Sequence, residues 1–272
     1  MRMSQLFYYP QKEIPKDVEA ISHILMVKSC MVERVASGIY DFLPLGFRVL
    51  KKIEDIIRRE MLSIGAQEVL LPALHPSELW KITGRWDDYG EELFKLTDRH
   101  NRTLCLGPTH EEIITTLVKA KINSYRQLPF MLFQIQTKFR DEPRPRFGII
   151  RCREFIMKDL YSFHADEDSL NDGYYKVYYA YKNIFDAIGA NYKIVEAASG
   201  PIGGDVSHEF VIIAESGEDE IAYCSSCSYS ATTEMADYNP VIVEDNESEL
   251  PLEKIHTPGL KSVEEVSGYL NV

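Results

Sequence analysis

The sequence predicts an α+β fold, a mixed and mostly antiparallel sheet flanked by helices. Three observations carry this reading. Residues 130–139 and 149–157 read as two strands around a Pro/Arg-rich loop, a long-looped antiparallel hairpin. Residues 46–63 follow a helical period, with Val49, Ile53, Ile56, Ile57 and Met61 on one face and Lys51, Lys52, Arg58 and Arg59 largely off it. A tyrosine-rich helix over 174–188 is followed by further strand candidates at 191–197 and 208–214.

The remaining elements follow in chain order. Val18, Ile21, Ile24, Leu25 and Val32 recur at three- and four-residue spacings and predict a helix over 16–35. Residues 37–46, punctuated by Gly and Pro, read as a loop, and Gly65 stops the helix that follows. Glu68-Val69-Leu70-Leu71 reads as a short buried strand ended by Pro72. Residues 109–123 predict a helix with Thr109 as N-cap and Glu111 and Glu112 in its first turn, where carboxylates suit the helix dipole. From about Asp237 the pattern thins into an acidic linker, with Val263 to Leu270 opening a new element. The expected division is 1–236 for the main domain and 237–272 for the linker and the start of another.

Charge is unevenly placed along the 272 residues. The formal net charge of −12 argues against a nucleic-acid partner, but residues 215–256 hold 11 acidic residues and one basic, so the rest is close to neutral. Residues 138–158 carry Lys138, Arg140, Arg144, Arg146, Arg151, Arg153 and Lys158 against three acids, a local basic patch. Five cysteines, an odd number, do not form a disulfide scaffold and fit a reducing cytoplasm. No apolar run approaches the ~20 residues of a membrane span, and Met1-Arg2-Met3-Ser4-Gln5 lacks the apolar stretch of a signal peptide. The expected setting is cytoplasmic, without a membrane.

The hairpin carries the most chemistry. Arg140 and Glu142 are two residues apart on its first arm, and Arg151, Arg153 and Phe155 recur at that spacing on the second. Guanidinium groups suit phosphate, an aromatic ring can stack a purine, and a carboxylate can accept from an exocyclic amine. These residues make a nucleotide platform or, more blandly, a solvated hairpin laced with salt bridges.

Motif order discriminates between the two. Phe139-Arg140-Asp141-Glu142, the Pro/Arg-rich loop and Arg151-Cys152-Arg153-Glu154-Phe155 resemble motif 2 of the class II aminoacyl-tRNA synthetases. Residues 38–72 resemble their motif 1. Leu106-Gly107-Pro108-Thr109-His110-Glu111-Glu112 is similar to the amino-acid-recognition loop of prolyl-tRNA synthetases. Lys158-Asp159-Leu160-Tyr161-Ser162-Phe163 and Gly203-Gly204-Asp205-Val206-Ser207-His208-Glu209-Phe210 resemble the bacterial form of that family.

The resemblance implies a class II synthetase catalytic fold and ATP-dependent activation of proline to prolyl-adenylate, followed by transfer to tRNA(Pro). It implies that Arg140 holds the α-phosphate and stabilises charge developing there, the catalytic role, while Arg151 clamps the distal phosphates. Phe155 stacks on adenine and Glu142 accepts from its amino group. Thr109 and Glu111 bind the proline ammonium, and Met157, Asp159 and Tyr161 line the proline pocket. Arg144 and Arg146 reach the tRNA acceptor stem, Mg²⁺ accompanies ATP, and motif 1 supports a homodimer with Pro72 near its interface. Positioning and electrostatics suffice for such chemistry, without a nucleophilic side chain.

Other readings sit beside these. Thr109 reads equally as a plain helix cap, and His208 and Glu209 as residues that simply follow a Gly-Gly turn. His110 is given no role. Cys224-Ser225-Ser226-Cys227 is a lone C-x-x-C without a second ligand pair, so structural thiols are expected and no metal site. No G-x-G-x-x-R of motif 3 occurs, and residues from His256-Thr257-Pro258-Gly259 onward resemble the opening of the editing insertion of bacterial prolyl enzymes. The expectation is an N-terminal portion, without motif 3 or an anticodon-binding domain and inactive or incomplete by itself. A non-catalytic binding subunit and a synthetase for threonine, serine or glycine are the alternatives.

Overall fold

The computed structural model describes residues 2–13, 20–198, 206–215, 217, 219–237, 254–259 and 262–270. The chain divides into two compact units, Met1–Ala236 and Asp237–Val272. Residues 16–19 of the predicted first helix, Gly203-Gly204-Asp205 and most of the acidic linker lie outside the described residues.

The first unit opens with α1 (Ile21–Lys28), β1 (Val32–Ala36) and β2 (Ile39–Phe42). The single helix predicted over 16–35 is corrected here. It stops at Lys28, Cys30 takes a positive φ of 54°, and β1 pairs antiparallel with β2. β-branched Val32 and Val35 favour the strand, and Val32 is fully buried there. The predicted loop at 37–46 is therefore partly strand. α2 (Pro44–Ser63) starts with Pro at its first position, where the missing N–H costs nothing.

β3 (Gln67–Glu68) pairs parallel with β7 (Phe130–Phe139), and it is shorter than the buried strand expected at 68–71. Leu70 is 77% exposed. Side chains from β7 replace the ladder beyond it: Leu71 N–H donates to Gln134 Oε1 at 3.0 Å, and Gln136 Nε2 donates to the Leu71 carbonyl. Between β3 and β7 lie β4 (Leu74–Pro76), α3 (Ser77–Ile82), α4 (Arg85–Asp88), β5 (Lys95–Thr97), β6 (Thr103–Leu106) and α5 (Glu111–Lys121). The three short strands form their own antiparallel sheet, ordered β4-β6-β5, around Trp80, Leu93 and Cys105.

The central element is the ten-residue antiparallel pairing of β7 with β8 (Glu154–Phe163), in a sheet ordered β3-β7-β8. The returning strand begins at Glu154 rather than at 149, because 148–150 form a 3₁₀ turn entered through Phe147 at φ 57°. One face of this pair is apolar. Met131, Phe133, Ile135 and Leu160 pack there on Ile56, Ile57 and Met61 of α2 and on Ala180 and Ile184 of α6 (Glu167–Ile188). The period-2 alternation places Gln134, Gln136, Lys138, Phe155, Met157, Asp159 and Tyr161 on the opposite face.

α6 starts seven residues before the predicted helix. Asp166 caps it by accepting from Ser169 N–H at 2.8 Å, and Gly173, a residue that reads as a breaker, lies against the His164 ring where a Cβ would come within 2.6 Å. β9 (Tyr192–Glu196), β10 (His208–Ile212), β11 (Ile221–Tyr223) and β12 (Ser230–Thr232) complete a third sheet, ordered β10-β9-β12-β11. In the second unit, α7 (Val263–Leu270) occupies the stretch expected to open a new element.

Candidate active site

The polar face of β7–β8 and the segment entering α5 build one site. Gly107 N–H donates to the Ala73 carbonyl, and Phe139 N–H donates to the Gly107 carbonyl at 3.2 Å, which ties the recognition loop to the end of β7. A side chain at Gly107 would strike His75, 2.5 Å from the position of its Cβ.

Thr109 is not the cap of α5. His110 occupies that position without a side-chain cap bond. The Thr109 hydroxyl is free to face the site, 3.4 Å from both Tyr161 Oη and Glu111 Oε1. Tyr161 Oη accepts from His110 N–H at 3.0 Å and donates to Asp159 Oδ2 at 2.6 Å. Gln134 Nε2 donates to the same carboxylate oxygen at 3.1 Å. Thr109, Glu111, Asp159 and Tyr161 thus come together, with Met157 on the same face of β8. Burial pushes the Tyr161 hydroxyl well above the usual tyrosine range, so it stays protonated and can donate.

Beside it lies the hairpin cluster. The Arg140 guanidinium stands over the Phe155 ring, 5.4 Å from its centroid. Glu142, nearly buried, pairs with Arg151 at 2.9 Å, and its carboxyl is held below the usual range chiefly by the hydrogen bond from Arg151. Arg153 donates to the Glu142 carbonyl at 3.1 Å and pairs with Asp141 at 3.3 Å. Arg144 and Arg146 lie exposed on the loop.

The strand geometry expected for these residues is corrected. β7 ends at Phe139 and β8 starts at Glu154, so Arg140, Glu142, Arg151 and Arg153 sit on the connection and not on paired strands. Proline at 143 and 145 and the turn at Phe147 break the ladder there. The cluster is assembled by ion pairs together with two local backbone links, Arg140 N–H to the Arg153 carbonyl at 2.9 Å and an isolated bridge between Arg146 and Arg151.

The basic patch is smaller than the sequence suggests. Lys138 is 0% exposed and pairs with Asp159 at 2.8 Å. Lys158 faces the other side, where its ammonium donates to the Tyr181 hydroxyl and stands over that ring. The arginines alone make the exposed positive surface.

Sequence reasoning missed Arg85, His75, His110, Lys138 and Gln134. Arg85 pairs with Glu111 and, at 3.2 Å, with buried Glu112. His75 Nε2 and His110 Nε2 both lie 2.9 Å from the Pro72 carbonyl, and Trp80 Nε1 donates to His75 Nδ1 at 3.3 Å. Burial lowers both imidazoles to about 4, with the Lys138 ammonium adding to the effect. The alternation of Gln134, Gln136 and Lys138 on a strand was a readable signal for one polar face; nothing in the spacing announces Arg85.

Cys224 and Cys227 lie in the turn joining β11 to β12, and Cys30, Cys105 and Cys152 are buried. Among the described residues, no three His, Cys, Asp or Glu side chains are arranged to hold a metal ion, and no helix is long and apolar enough to cross a membrane. His208 Nδ1 shares a 2.8 Å hydrogen bond with the Tyr174 hydroxyl, away from the Thr109 cluster.

A mixed sheet carrying an arginine–aromatic hairpin beside an acidic, threonine-bearing loop is the arrangement of a class II synthetase core. Residues 94–256 match the family described as the tRNA synthetase class II core domain (G, H, P, S and T), and the chain belongs to that family. Its similarity is to one member type in particular. It is 53% identical over 272 residues to the proline–tRNA ligase of Thermotoga maritima, covering 100% of this chain and 47% of the relative. The proline–tRNA ligase of a Geobacillus strain is 54% identical over 275 residues, covering 100% of this chain and 48% of the relative. The chain thus spans about half the length of the curated relatives it matches. Among solved structures, the Giardia lamblia prolyl-tRNA synthetase in complex with prolyl-adenylate shares the fold with a TM-score of 0.63 at 22% identity, over 68% of this chain and 39% of that one. The Cryptosporidium parvum prolyl-tRNA synthetase complexed with L-proline and AMP gives 0.61 at 20% identity, over 68% and 38%.

Proposed function

We propose that the first unit, residues 1–236, is the ATP- and proline-holding part of a proline–tRNA ligase, an enzyme that activates proline to prolyl-adenylate and transfers it to tRNA(Pro). The observation that carries this reading is the adjacency of two subsites on one polar face. Thr109, Glu111, Asp159 and Tyr161 lie within a connected hydrogen-bond set, and Arg140, Glu142, Arg151 and Phe155 lie at the end of the same strands.

In this reading the secondary ammonium of proline lies between the Thr109 hydroxyl and the Glu111 carboxylate, with Met157 against the ring. Adenine displaces the Arg140 guanidinium from the face of Phe155 and stacks there, which frees Arg140 for the α-phosphate. Arg151 leaves Glu142 for the distal phosphates, and Glu142 then accepts from the adenine amino group. Mg²⁺ would accompany ATP and be held chiefly by its phosphates, since Asp141 is paired with Arg153 and Glu142 is turned to the adenine amino group. Exposed Arg144 and Arg146 point to a phosphate-rich partner, the tRNA acceptor stem. The stretch 38–72 is the motif 1 region through which a homodimer forms, and residues 237–272 are the acidic linker and the start of an editing-type insertion. Five free cysteines fit a reducing cytoplasm.

These 272 residues contain no motif 3 arginine, and among the described residues β8 has no strand on its outer edge. They are expected to bind the adenylate without making it efficiently. Calorimetric titration with prolyl-, threonyl-, seryl- and glycyl-sulfamoyl adenosine tests the assignment: the prolyl compound binds and the others do not. Equal binding of all four, or of none, overturns it. Robust proline-dependent pyrophosphate exchange by this chain overturns the expectation that it is insufficient alone.

A further inference from the structure

The buried groups next to the proposed proline subsite form a closed ring, three hydrogen bonds and one ion pair, that begins and ends on one residue. His110 N–H donates to Tyr161 Oη at 3.0 Å, and Tyr161 donates to Asp159 Oδ2 at 2.6 Å. Asp159 Oδ1 pairs with the Lys138 ammonium at 2.8 Å, and that ammonium lies 2.5 Å from His110 Nδ1. A lysine ammonium can only donate, so Nδ1 of His110 is the unprotonated nitrogen. Nε2 then carries the proton and donates to the Pro72 carbonyl. His75 donates to the second lone pair of that carbonyl through its own Nε2, since its Nδ1 accepts from Trp80. Every tautomer in the ring is therefore dictated by its neighbours. Lys138, His75 and His110 are all 0% exposed, so water is kept from the bonds they make with one another and with Pro72.

The ring also sets the polarity of the substrate-facing hydroxyl. Tyr161 gives its one proton to Asp159 and accepts from His110 N–H, leaving one lone pair for the Thr109 hydroxyl proton. The other acceptor for that proton is Glu111 Oε1, also at 3.4 Å; once an amine engages that carboxylate, the Thr109 proton is left to Tyr161 and the oxygen lone pairs turn to the site. Lys138 and Asp159 cancel in charge and His110 is neutral, so the ring adds no net charge beside Glu111.

We propose that His110 and Lys138 are positioning residues whose hydrogen-bond ring holds Thr109 as an acceptor for a cationic secondary amine. The proposal deepens the functional reading above and rests on it. Neither residue touches the amine; each acts through Tyr161 and Thr109. The geometry asks of position 110 a donor at one end and an acceptor at the other, which a glutamine amide also supplies and a leucine does not.

Two measurements on the 272-residue chain test it. With ¹⁵N-labelled histidine, NMR is expected to show His110 as the neutral Nε2–H tautomer at pH 7, and Lys138→Met is expected to shift its Nδ1 resonance. A charged His110, an Nδ1–H tautomer, or an Nδ1 signal indifferent to Lys138→Met overturns the ring. Calorimetry with prolyl-sulfamoyl adenosine is expected to show His110→Leu binding about 30-fold more weakly and His110→Gln within about threefold of wild type. Thermal melts of both variants identify any loss that is only unfolding, and the glutamine variant keeps the comparison open if the leucine variant does not fold. Leucine binding as tightly as wild type, or glutamine losing as much as leucine, overturns the positioning role. A wild-type chain that shows the ring by NMR and binds no analogue overturns the functional reading and the role of the ring in it, with the ring itself still measured.

Discussion

Arg85 and Glu111 form an ion pair between α4 and the first turn of α5, and the same guanidinium reaches Glu112 at 3.2 Å. Two carboxylates and one guanidinium leave a single net negative charge, which matches one ammonium. The two acids are not equivalent. The Glu112 side chain is 2% exposed and also accepts from Thr83 at 3.2 Å, whereas Glu111 is 30% exposed and borders the site. Arg85→Met strands a buried carboxylate and is expected to lower stability by about 3 kcal/mol in urea unfolding. Glu111→Gln leaves Arg85 paired with Glu112, so stability is expected to stay within about 1 kcal/mol. A Glu111→Gln chain that unfolds as readily as the Arg85→Met chain contradicts this division of labour.

The paired histidines make stability depend on acid. His75 and His110 are held at about 4 by burial, against about 6.5 in an unfolded chain. Between those values the unfolded chain binds protons that the folded chain refuses, so stability is full above pH 6.5 and falls as pH drops toward 4. The loss is expected to reach on the order of 2–3 kcal/mol for each histidine near pH 4.5, beyond the contribution of the carboxylates. Urea midpoints at pH 7.5, 5.5 and 4.5, compared with those of His110→Gln, measure it. Equal slopes with pH in the two chains would contradict the burial of a neutral His110.

Cysteine chemistry should separate by burial. Cys105 is pushed up to about 12 and Cys152 to about 11 by burial, while Cys224 is lowered by hydrogen bonds, first among them that from Ser226 N–H. Cys224 and Cys227 are therefore expected to alkylate first with iodoacetamide at pH 7.5, at least about tenfold faster than Cys30, Cys105 and Cys152. Peptide mass spectrometry over time reads the order. Metal analysis on the purified chain is expected to find no zinc at one equivalent; a full equivalent, lost when Cys224 is changed to Ser, would show that the turn is a metal site.

How much of this was legible follows from what each residue touches. α2 and β7 show their periods because one face of each meets the core at Met61 and Phe133, and both occur close to their expected bounds. The sheet of β4, β5 and β6 was not legible, since strands of three or four residues carry too little alternation to register. Thr109, Glu111 and Arg140 were marked by motif, and the structure brings them to one face. Lys138 was read as part of a charged surface and His110 as idle. Their meaning lies in contacts with Asp159 and Pro72, 21 and 38 residues away, which no local pattern contains. The arginine cluster was placed on strands because its spacing is even, although the prolines between its members already forbid the ladder.

Whether the two subsites hold an adenylate together is read from the affinity of the 272-residue chain for prolyl-sulfamoyl adenosine, compared with that of Glu111→Gln and Arg140→Ala. Wild type is expected to bind, Glu111→Gln to lose about 100-fold by removing the carboxylate offered to the ammonium, and Arg140→Ala to lose about 10- to 100-fold through the phosphate-like sulfamate. Binding that neither substitution changes, or no binding by a wild-type chain shown to be folded, would contradict a shared adenylate site.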